Sequence, residues 1–241
     1  MIKKTYILIF IFIAHLFAAP QSIAIVSKTK GNVKYKKKKD KSLNKELKSG
    51  LDLYNNDYIR TGKDGFAKYV YLDDGTQIKV HNNSEVYIRG EIDRRSIIKQ
   101  LKVEEGTVKL EIKKQTVDEF TVITPTSVAS VKGTSFWLDC GGNDGDKFYG
   151  ESGIVTIQNR ESGEKRELIK NTVASSLPNG TLNIRKITQN ELKMLDGIEE
   201  ETGESGSSDD GNGNFGSEDK EIRIELQDES GNQKTIIINV K

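Results

Sequence analysis

Short stretches of alternating apolar and polar residues, separated by glycine-containing turns, make up most of the chain between residues 25 and 187. In the clearest example, every second residue from Val108 to Ile112 is apolar and the residues between them are charged. A period of two is typical of strands that bury one face. The segment 25–187 is therefore predicted to be all-β, as a twisted β-sandwich or a solenoid-like roll of short antiparallel strands.

The pattern changes after residue 187. Residues 188–191 have the T-x-x-E spacing of a capping box, and leucines follow at near-helical spacing, which predicts a short C-terminal helix. The rest of the segment 188–220 is acidic and rich in glycine and serine, a composition typical of a flexible linker. Isoleucines alternate again in residues 221–241 on both sides of a turn, which predicts a terminal β-hairpin.

The predicted hairpin at 221–241 needs a surface to pack on, because a lone hairpin is at best marginally stable in water. It either docks on its own β domain or adds a strand to another protein along its isoleucine-rich edge. In the second case Ile236 and Ile238 are the candidate contact residues.

Residues 1–24 have the features of a secretory signal peptide. Lys3 and Lys4 precede an apolar run, and Ser22 and Ala24 have the small-residue spacing of a cleavage site. The run is shorter than the roughly 20 residues that a membrane-spanning helix needs. Cleavage after Ala24 is therefore the prediction, and an uncleaved anchor is the alternative. We expect an exported protein that is soluble in the periplasm or on the cell surface.

The composition leaves little material for catalysis. The 37 Lys and Arg residues nearly balance the 36 Asp and Glu residues, so global charge gives no reason to expect nucleic acid as a partner. Cys140 is the only cysteine, which excludes an internal disulfide and a thiolate metal cluster within one chain. His81 is the only histidine outside the predicted signal peptide. We therefore expect no enzymatic activity, no catalytic residues, no cofactor and no histidine-based metal site.

A Gly-x-Val or similar unit recurs at the starts of the predicted strands. In addition, five short motifs occur within the β segment. The motifs are Asp74-Gly75-Thr76, Asn83-Ser84, Glu105-Gly106-Thr107-Val108, Thr124-Pro125 with Val128 and Val131, and Gly133-Thr134-Ser135-Phe136. In this order they resemble the FecR domain, a periplasmic β domain of bacteria. We interpret these residues as determinants of the fold, because glycine and proline at strand ends fix the path of the backbone.

The resemblance to the FecR domain implies an interaction module of the bacterial cell envelope. The best understood members are anti-sigma regulators, in which a cytoplasmic segment holds a sigma factor and the FecR domain receives a signal from an outer-membrane transporter. Only residues 1–5 precede the apolar run here, so direct contact with a sigma factor is not expected. We expect a non-enzymatic scaffold or signal-receiving module whose partner is an unidentified envelope protein.

Two local features are candidates for contact with a partner. Trp137 occupies a strand position that would normally be polar, so it either covers the core beneath a loop or contacts a partner. The most basic stretch contains Lys36, Lys37, Lys38 and Lys39. These lysines form a solvated loop, or they bind an anionic envelope polymer or a lipid surface.

A third candidate is a set of oxygen-bearing residues in the acidic linker. Asp210, Asn212, Asn214 and Glu221 have the spacing of an EF-hand calcium loop. However, Phe215 stands where that loop needs glycine, and a strand follows where a helix is required. A chance match in an acid-rich linker is the preferred interpretation, and calcium binding is the alternative.

Overall fold

The computed structural model describes residues 21–116, 118–141, 144–203, 220–227 and 233–240. Strands dominate these residues. In the first half they are β1 (Ala24–Lys30), β2 (Val33–Lys36), β3 (Lys45–Glu46), β4 (Asp52–Leu53), β5 (Asp57–Thr61), β6 (Phe66–Tyr71), β7 (Gln77–Val80), β8 (Glu85–Asp93) and β9 (Ser96–Glu111).

The second half contains the remaining strands and a helix. The strands are β10 (Phe120–Ile123), β11 (Ser127–Val131), β12 (Ser135–Cys140), β13 (Asp146–Ser152), β14 (Ile154–Asn159), β15 (Lys165–Ile169), β16 (Thr172–Ser176) and β17 (Leu182–Lys186). Helix α1 (Gln189–Glu201) follows, and then β18 (Lys220–Gln227) and β19 (Gln233–Val240).

The strands form two layers that share the long strand β9. Sheet A has the order β4-β1-β6-β7-β9-β12-β13-β16-β17, and sheet B has the order β3-β2-β5-β8-β9-β10-β11-β14-β15. The N-terminal part of β9 pairs with β8 and β10, and its C-terminal part pairs with β7 and β12. The predicted all-β fold with a short C-terminal helix is confirmed. The predicted antiparallel pairing holds for the described strands with one exception, since β9 and β10 are parallel.

Residues with positive φ angles carry the chain from one layer to the other. Gly153, between β13 in sheet A and β14 in sheet B, has a φ of 67°, and Gly106, where β9 changes sheets, has a φ of 95°. These values lie in the region that side chains disfavour and glycine tolerates. The recurring glycine before a strand therefore marks, at these two positions, a passage between the layers.

The core lies between the two sheets and consists of the apolar side of their strands. Val108 and Leu110 in sheet A and Val86 and Ile88 in sheet B are fully buried. Tyr71 from sheet A meets Phe120 from sheet B edge to face, with ring centroids 5.7 Å apart. The alternation from Val108 to Ile112 thus corresponds to a strand with one buried face, as the sequence predicts.

The first described residues already belong to this core. Ile23 and Ala24 are 1% and 0% exposed. The Ile23 amide donates to the Leu53 carbonyl at 2.9 Å, and the Leu72 amide donates to the Ile23 carbonyl at 3.1 Å. A cut after Ala24 would therefore remove two buried residues from the fold. Residues 1–20 of the predicted signal peptide lie outside the described residues.

The C-terminal elements agree in type with the sequence pattern. The Thr188 hydroxyl accepts from the Glu191 amide at 3.3 Å, and the Thr188 amide donates to the Glu191 carboxylate at 2.9 Å, which is the predicted capping box. β18 and β19 pair antiparallel, and the backbone of β18 passes close to β1. In the part of the chain that the structure describes, no helix has the length and apolar character needed to cross a bilayer.

Candidate interaction site

The outer side of sheet A carries aromatic and basic side chains where solvent-facing polar residues are usual. Because side chains alternate along a strand, the positions between the core residues point outwards. These positions hold Lys79 and His81 at β7, Lys109 on β9, Trp137 on β12 and Tyr149 on β13. We refer to this surface as the α1 face, since helix α1 covers it.

A small apolar cluster joins α1 to this face. Trp137, Tyr149, Val173 and Leu195 are buried against one another, with Ile187 and Ile198 packed at the margin. Leu195 is the residue of α1 that becomes buried. The cluster is separate from the main core between the sheets. The helix is therefore held by a second, much smaller set of apolar contacts.

Polar groups fix the indole ring of Trp137 within this cluster. Its Nε1 donates to Glu151 Oε1 at 2.6 Å, and the Lys109 ammonium lies 5.1 Å from the ring centroid. The His81 ring lies 4.9 Å away at an interplanar angle of 33°. With 1% of its surface exposed, Trp137 is not available to a partner while α1 is docked. The cover is a helix and not the loop considered from the sequence.

Ion pairs connect Glu199 of α1 to the sheet. Lys79 Nζ lies 2.5 Å from Glu199 Oε1 and 3.0 Å from Glu111 Oε1, and Lys109 Nζ lies 3.3 Å from Glu199 Oε2. Burial acts to raise the pKa of Glu199, but the hydrogen bond and charge of Lys79, with the charge of Lys109, outweigh it and lower the pKa. The hydrogen bonds and charges of Glu199 and Glu111 raise the pKa of Lys79 against the effect of its burial. Both groups are therefore ionised near neutral pH.

Both ends of α1 are also attached through charged side chains. At the C-terminal end, Lys30 Nζ donates to the Glu201 carbonyl at 2.7 Å and Lys28 Nζ donates to the Thr202 carbonyl at 3.0 Å. Cations stabilise this end because the last carbonyls of a helix carry partial negative charge. At the other end, a bidentate contact from Arg185 lowers the pKa of Glu191 to about 2.

Comparison with known proteins finds a family match for part of the sheet side of this site. Residues 57–148 match the family described as FecR protein. This part of the chain is similar to the FecR domain. The match includes Lys79, Lys109 and Trp137, whereas α1 lies beyond it. The matched segment thus contributes Lys79, Lys109 and Trp137 to the α1 face, and a segment outside the match contributes the cover.

Two crystal structures of a proposed anti-sigma factor from Parabacteroides distasonis ATCC 8503 are similar to this chain. The structure at 1.65 Å resolution is 18% identical with a TM-score of 0.48, and covers 57% of this chain and 63% of its own. The structure at 2.50 Å resolution is 18% identical with a TM-score of 0.47, and covers 56% and 62%. The chain thus spans less than two thirds of these structures. No curated protein matches it.

The predicted lysine stretch lies at the β2 end of sheet B, outside the residues that match the FecR family. Lys36 ends β2 and is half-buried, whereas Lys37, Lys38 and Lys39 form an exposed turn. The stretch is thus partly strand and partly turn, and it is far from the α1 face in the order of the strands.

The side chains of the remaining predicted site residues lie outside the described part of the structure. Ile236 and Ile238 pair through the backbone with Ile224 and Ile222, but their side chains lie outside the described residues. Asp210, Asn212 and Asn214 lie outside as well, and Glu221 is described only as part of β18. Among the side chains that the structure describes, no group of three or more acidic, histidine or cysteine residues could hold a metal ion.

The ion pairs that hold α1 to sheet A were not predicted from the sequence. One signal was present, since Glu199 follows Leu195 by four residues and so falls on the apolar stripe of the predicted helix. A carboxylate on that stripe indicates a cationic partner. The partners Lys79 and Lys109 carry no comparable signal, because lysine is ordinary on the outer side of a strand.

Acidification is expected to release α1 from sheet A. Since Glu199 and Glu191 have lower pKa values folded than unfolded, their stabilisation is present above the usual value of 4.5 and is lost as the pH falls through their folded values. Trp137 is the only tryptophan, so its emission reports the docking of α1 directly. We expect a red shift between about pH 5 and pH 2.

The Glu199→Gln variant is the control for this titration, because it removes the ionisation of Glu199 while keeping the shape of its side chain. Its emission should be shifted to the red already at neutral pH, and the change on acidification should be smaller. An emission maximum that stays constant down to pH 2 in the wild type would contradict the proposed role of these two carboxylates.

Proposed function

We propose that this protein is an exported, non-enzymatic interaction module of the cell envelope that receives a partner or a signal on the α1 face. One observation carries the proposal: the single tryptophan of the chain lies on an aromatic and cationic face of the FecR domain that a helix from outside the match covers. The match to the FecR family supports a signal-receiving role in general terms.

The contacts of α1 support the interpretation of this face as a helix-binding surface. One leucine and a few marginal apolar residues anchor the helix, so its release exposes far less apolar area than opening the core between the sheets. Lys79 and Lys109 bind a carboxylate in the last turn of the helix, and Lys28 and Lys30 bind the carbonyls at its C-terminal end. An acidic amphipathic helix of a partner protein would satisfy the same groups in place of α1.

Photo-crosslinking in cells of the native organism tests this proposal. Lys147 on β13 is exposed and lies two positions from Tyr149 on the same side of sheet A, so a photoreactive residue there samples the border of the α1 face. The Glu199→Lys variant places a third cation beside Lys79 and Lys109 and loosens α1. We expect a covalent adduct with one envelope protein, and its yield should be higher in the variant than in the wild type.

A photoreactive residue at Lys165, on strand β15 of sheet B, is the control. It should give no adduct of the same mass. Equal adducts from positions 147 and 165, or none from position 147 in either background, would overturn the proposal.

Export is the second part of the proposal, and the structure restricts where the leader can be removed. Losing Ile23 would cost about 1.5–3 kcal/mol of burial, and it would also leave the Leu53 and Leu72 backbone groups without partners. We therefore expect a mature protein whose first residue is Ile23 or an earlier residue. Intact-mass measurement of the protein from its native envelope checks this, and a mature chain that begins at Ile25 would contradict it.

A further inference from the structure

A row of four side chains crosses the outer face of sheet B in register. Lys36 on β2 lies opposite Tyr58 on β5, and Tyr58 lies opposite Tyr87 on β8. Tyr87 in turn lies opposite Lys102 on β9. Directly paired residues point to the same side of a sheet, so the four side chains form one line perpendicular to the strands. We call this line the cationic row; three strand spacings give it a length of about 14 Å.

The tyrosine rings hold the cations of the row in place. Lys36 Nζ lies 5.2 Å from the Tyr58 centroid, and Lys102 Nζ lies 5.6 Å from the Tyr87 centroid. The two rings are 4.8 Å apart, and the Arg60 guanidinium lies 6.0 Å from the Tyr58 ring. Cation–π contacts of this kind restrict the long side chains without neutralising their charge. A ligand therefore meets cations that are already positioned.

The exposed turn of Lys37, Lys38 and Lys39 continues the row at its β2 end. Lys37 Nζ lies 5.1 Å from the centroid of Tyr54. The Tyr54 amide donates at 3.0 Å to Asp57, a buried carboxylate that also accepts a hydrogen bond from the hydroxyl of core residue Tyr35. The turn is therefore connected to the interior of the domain.

Carboxylates are distributed unevenly over this face. Glu104 pairs with Lys102 and Glu85 pairs with Arg60, so both of these cations have an acidic neighbour. Among the residues that the structure describes, no ion pair joins a carboxylate to Lys36, Lys38 or Lys39. Positive charge thus accumulates at the β2 end, although the whole chain is nearly neutral.

We propose that the cationic row and the adjoining turn bind an acidic polysaccharide. A linear polymer of carboxylate-bearing sugars laid across the strands would place its carboxylates on Lys36, Lys102 and the turn. The neighbouring polar groups of Arg89 and Gln100, which bond to each other at 2.9 Å, would then meet sugar hydroxyls. This face belongs to sheet B and the α1 face to sheet A, so a polymer bound here is independent of the partner proposed above.

The exposure of the row favours a polysaccharide over other polyanions. Single-stranded nucleic acid binds by stacking bases on open aromatic rings. Tyr58 is only 5% exposed, because Lys36 and Arg60 cover its ring. A membrane surface would call for exposed apolar side chains that can enter the interface, and the row has none. The cationic row is instead complementary in charge to a hydrated, extended polyanion.

Calorimetric titration of the mature chain with polygalacturonate at low salt tests the proposal. We expect binding that weakens as salt is added, because exposed charges are screened. The double variant Lys36→Gln with Lys102→Gln should bind roughly tenfold more weakly, since two charge contacts of about 0.7 kcal/mol each, made by half-buried lysines, are lost. Neutral dextran should not bind.

The matched control removes the same charge elsewhere. Lys170→Gln with Lys186→Gln changes two exposed lysines after β15 and on β17, and it should leave the affinity within about twofold. Equal loss in both double variants, binding of dextran, or no binding of polygalacturonate would overturn the proposal. Binding of single-stranded DNA with the same dependence on Lys36 and Lys102, without binding of polygalacturonate, would assign the face to nucleic acid and overturn it as well.

Discussion

Replacing Gly106 by alanine is expected to destabilise the β domain by about 2–5 kcal/mol. Gly106 lies where β9 leaves sheet B for sheet A, with a φ of 95°. A Cβ there would lie 2.2 Å from Ser84 Oγ and 2.5 Å from the Ser84 Cα. An alanine at this position would therefore have both an unfavourable backbone conformation and a direct overlap with Ser84. Urea denaturation followed by circular dichroism measures the loss.

Gly163→Ala separates the two causes. Gly163 also has a positive φ, of 71°, but a Cβ added there would have its nearest neighbour 3.9 Å away. The free energy of unfolding of this variant should fall only by the cost of the backbone conformation, about 1–2 kcal/mol. If Gly106→Ala costs no more than Gly163→Ala, the overlap with Ser84 does not determine the requirement for glycine.

Replacing Trp137 by alanine is expected to cost about 3–5 kcal/mol and to release α1. The indole is the largest member of the cluster beneath the helix, and its removal also eliminates the hydrogen bond of 2.6 Å that it donates to Glu151. A helix of 13 residues has little stability of its own once undocked. Hydrogen exchange of the α1 amides checks this, because their protection should disappear while that of the core strands persists.

Trp137→Phe is the control for this variant. It keeps most of the apolar contact and removes the bond to Glu151, so the expected cost is about 1–2 kcal/mol and α1 should stay docked. Full protection of the α1 amides in Trp137→Ala would show that the helix is not held by this cluster.

The sequence predicts the class of the fold well, because a period of two reports strands directly. It also contains a sign of the crossing in β9. The buried residues Ile97, Leu101 and Val103 have odd numbers, whereas Val108 and Leu110 have even numbers. The phase of the alternation changes around Gly106, where the strand passes from one sheet to the other. Without the partner strands, however, this change is equally consistent with an ordinary turn between two strands.

The interaction site was only partly predictable. Trp137 stands out because a large aromatic residue interrupts the polar side of a strand. Its cover, Leu195, is distant in sequence, and no local pattern indicates which sheet the helix packs on. The match to the FecR family ends at residue 148 and gives no information about α1. Long-range docking of this kind depends on tertiary geometry that the periodicity of single strands does not contain.

The sharing of β9 between the two sheets has a consequence for how the domain folds. Neither sheet can be completed without this strand, and its neighbours β7, β8, β10 and β12 come from both halves of the chain. The two layers should therefore melt in one cooperative transition, with equal calorimetric and van't Hoff enthalpies. Folding should be slow, because most contacts of the chain join residues that are far apart in the sequence.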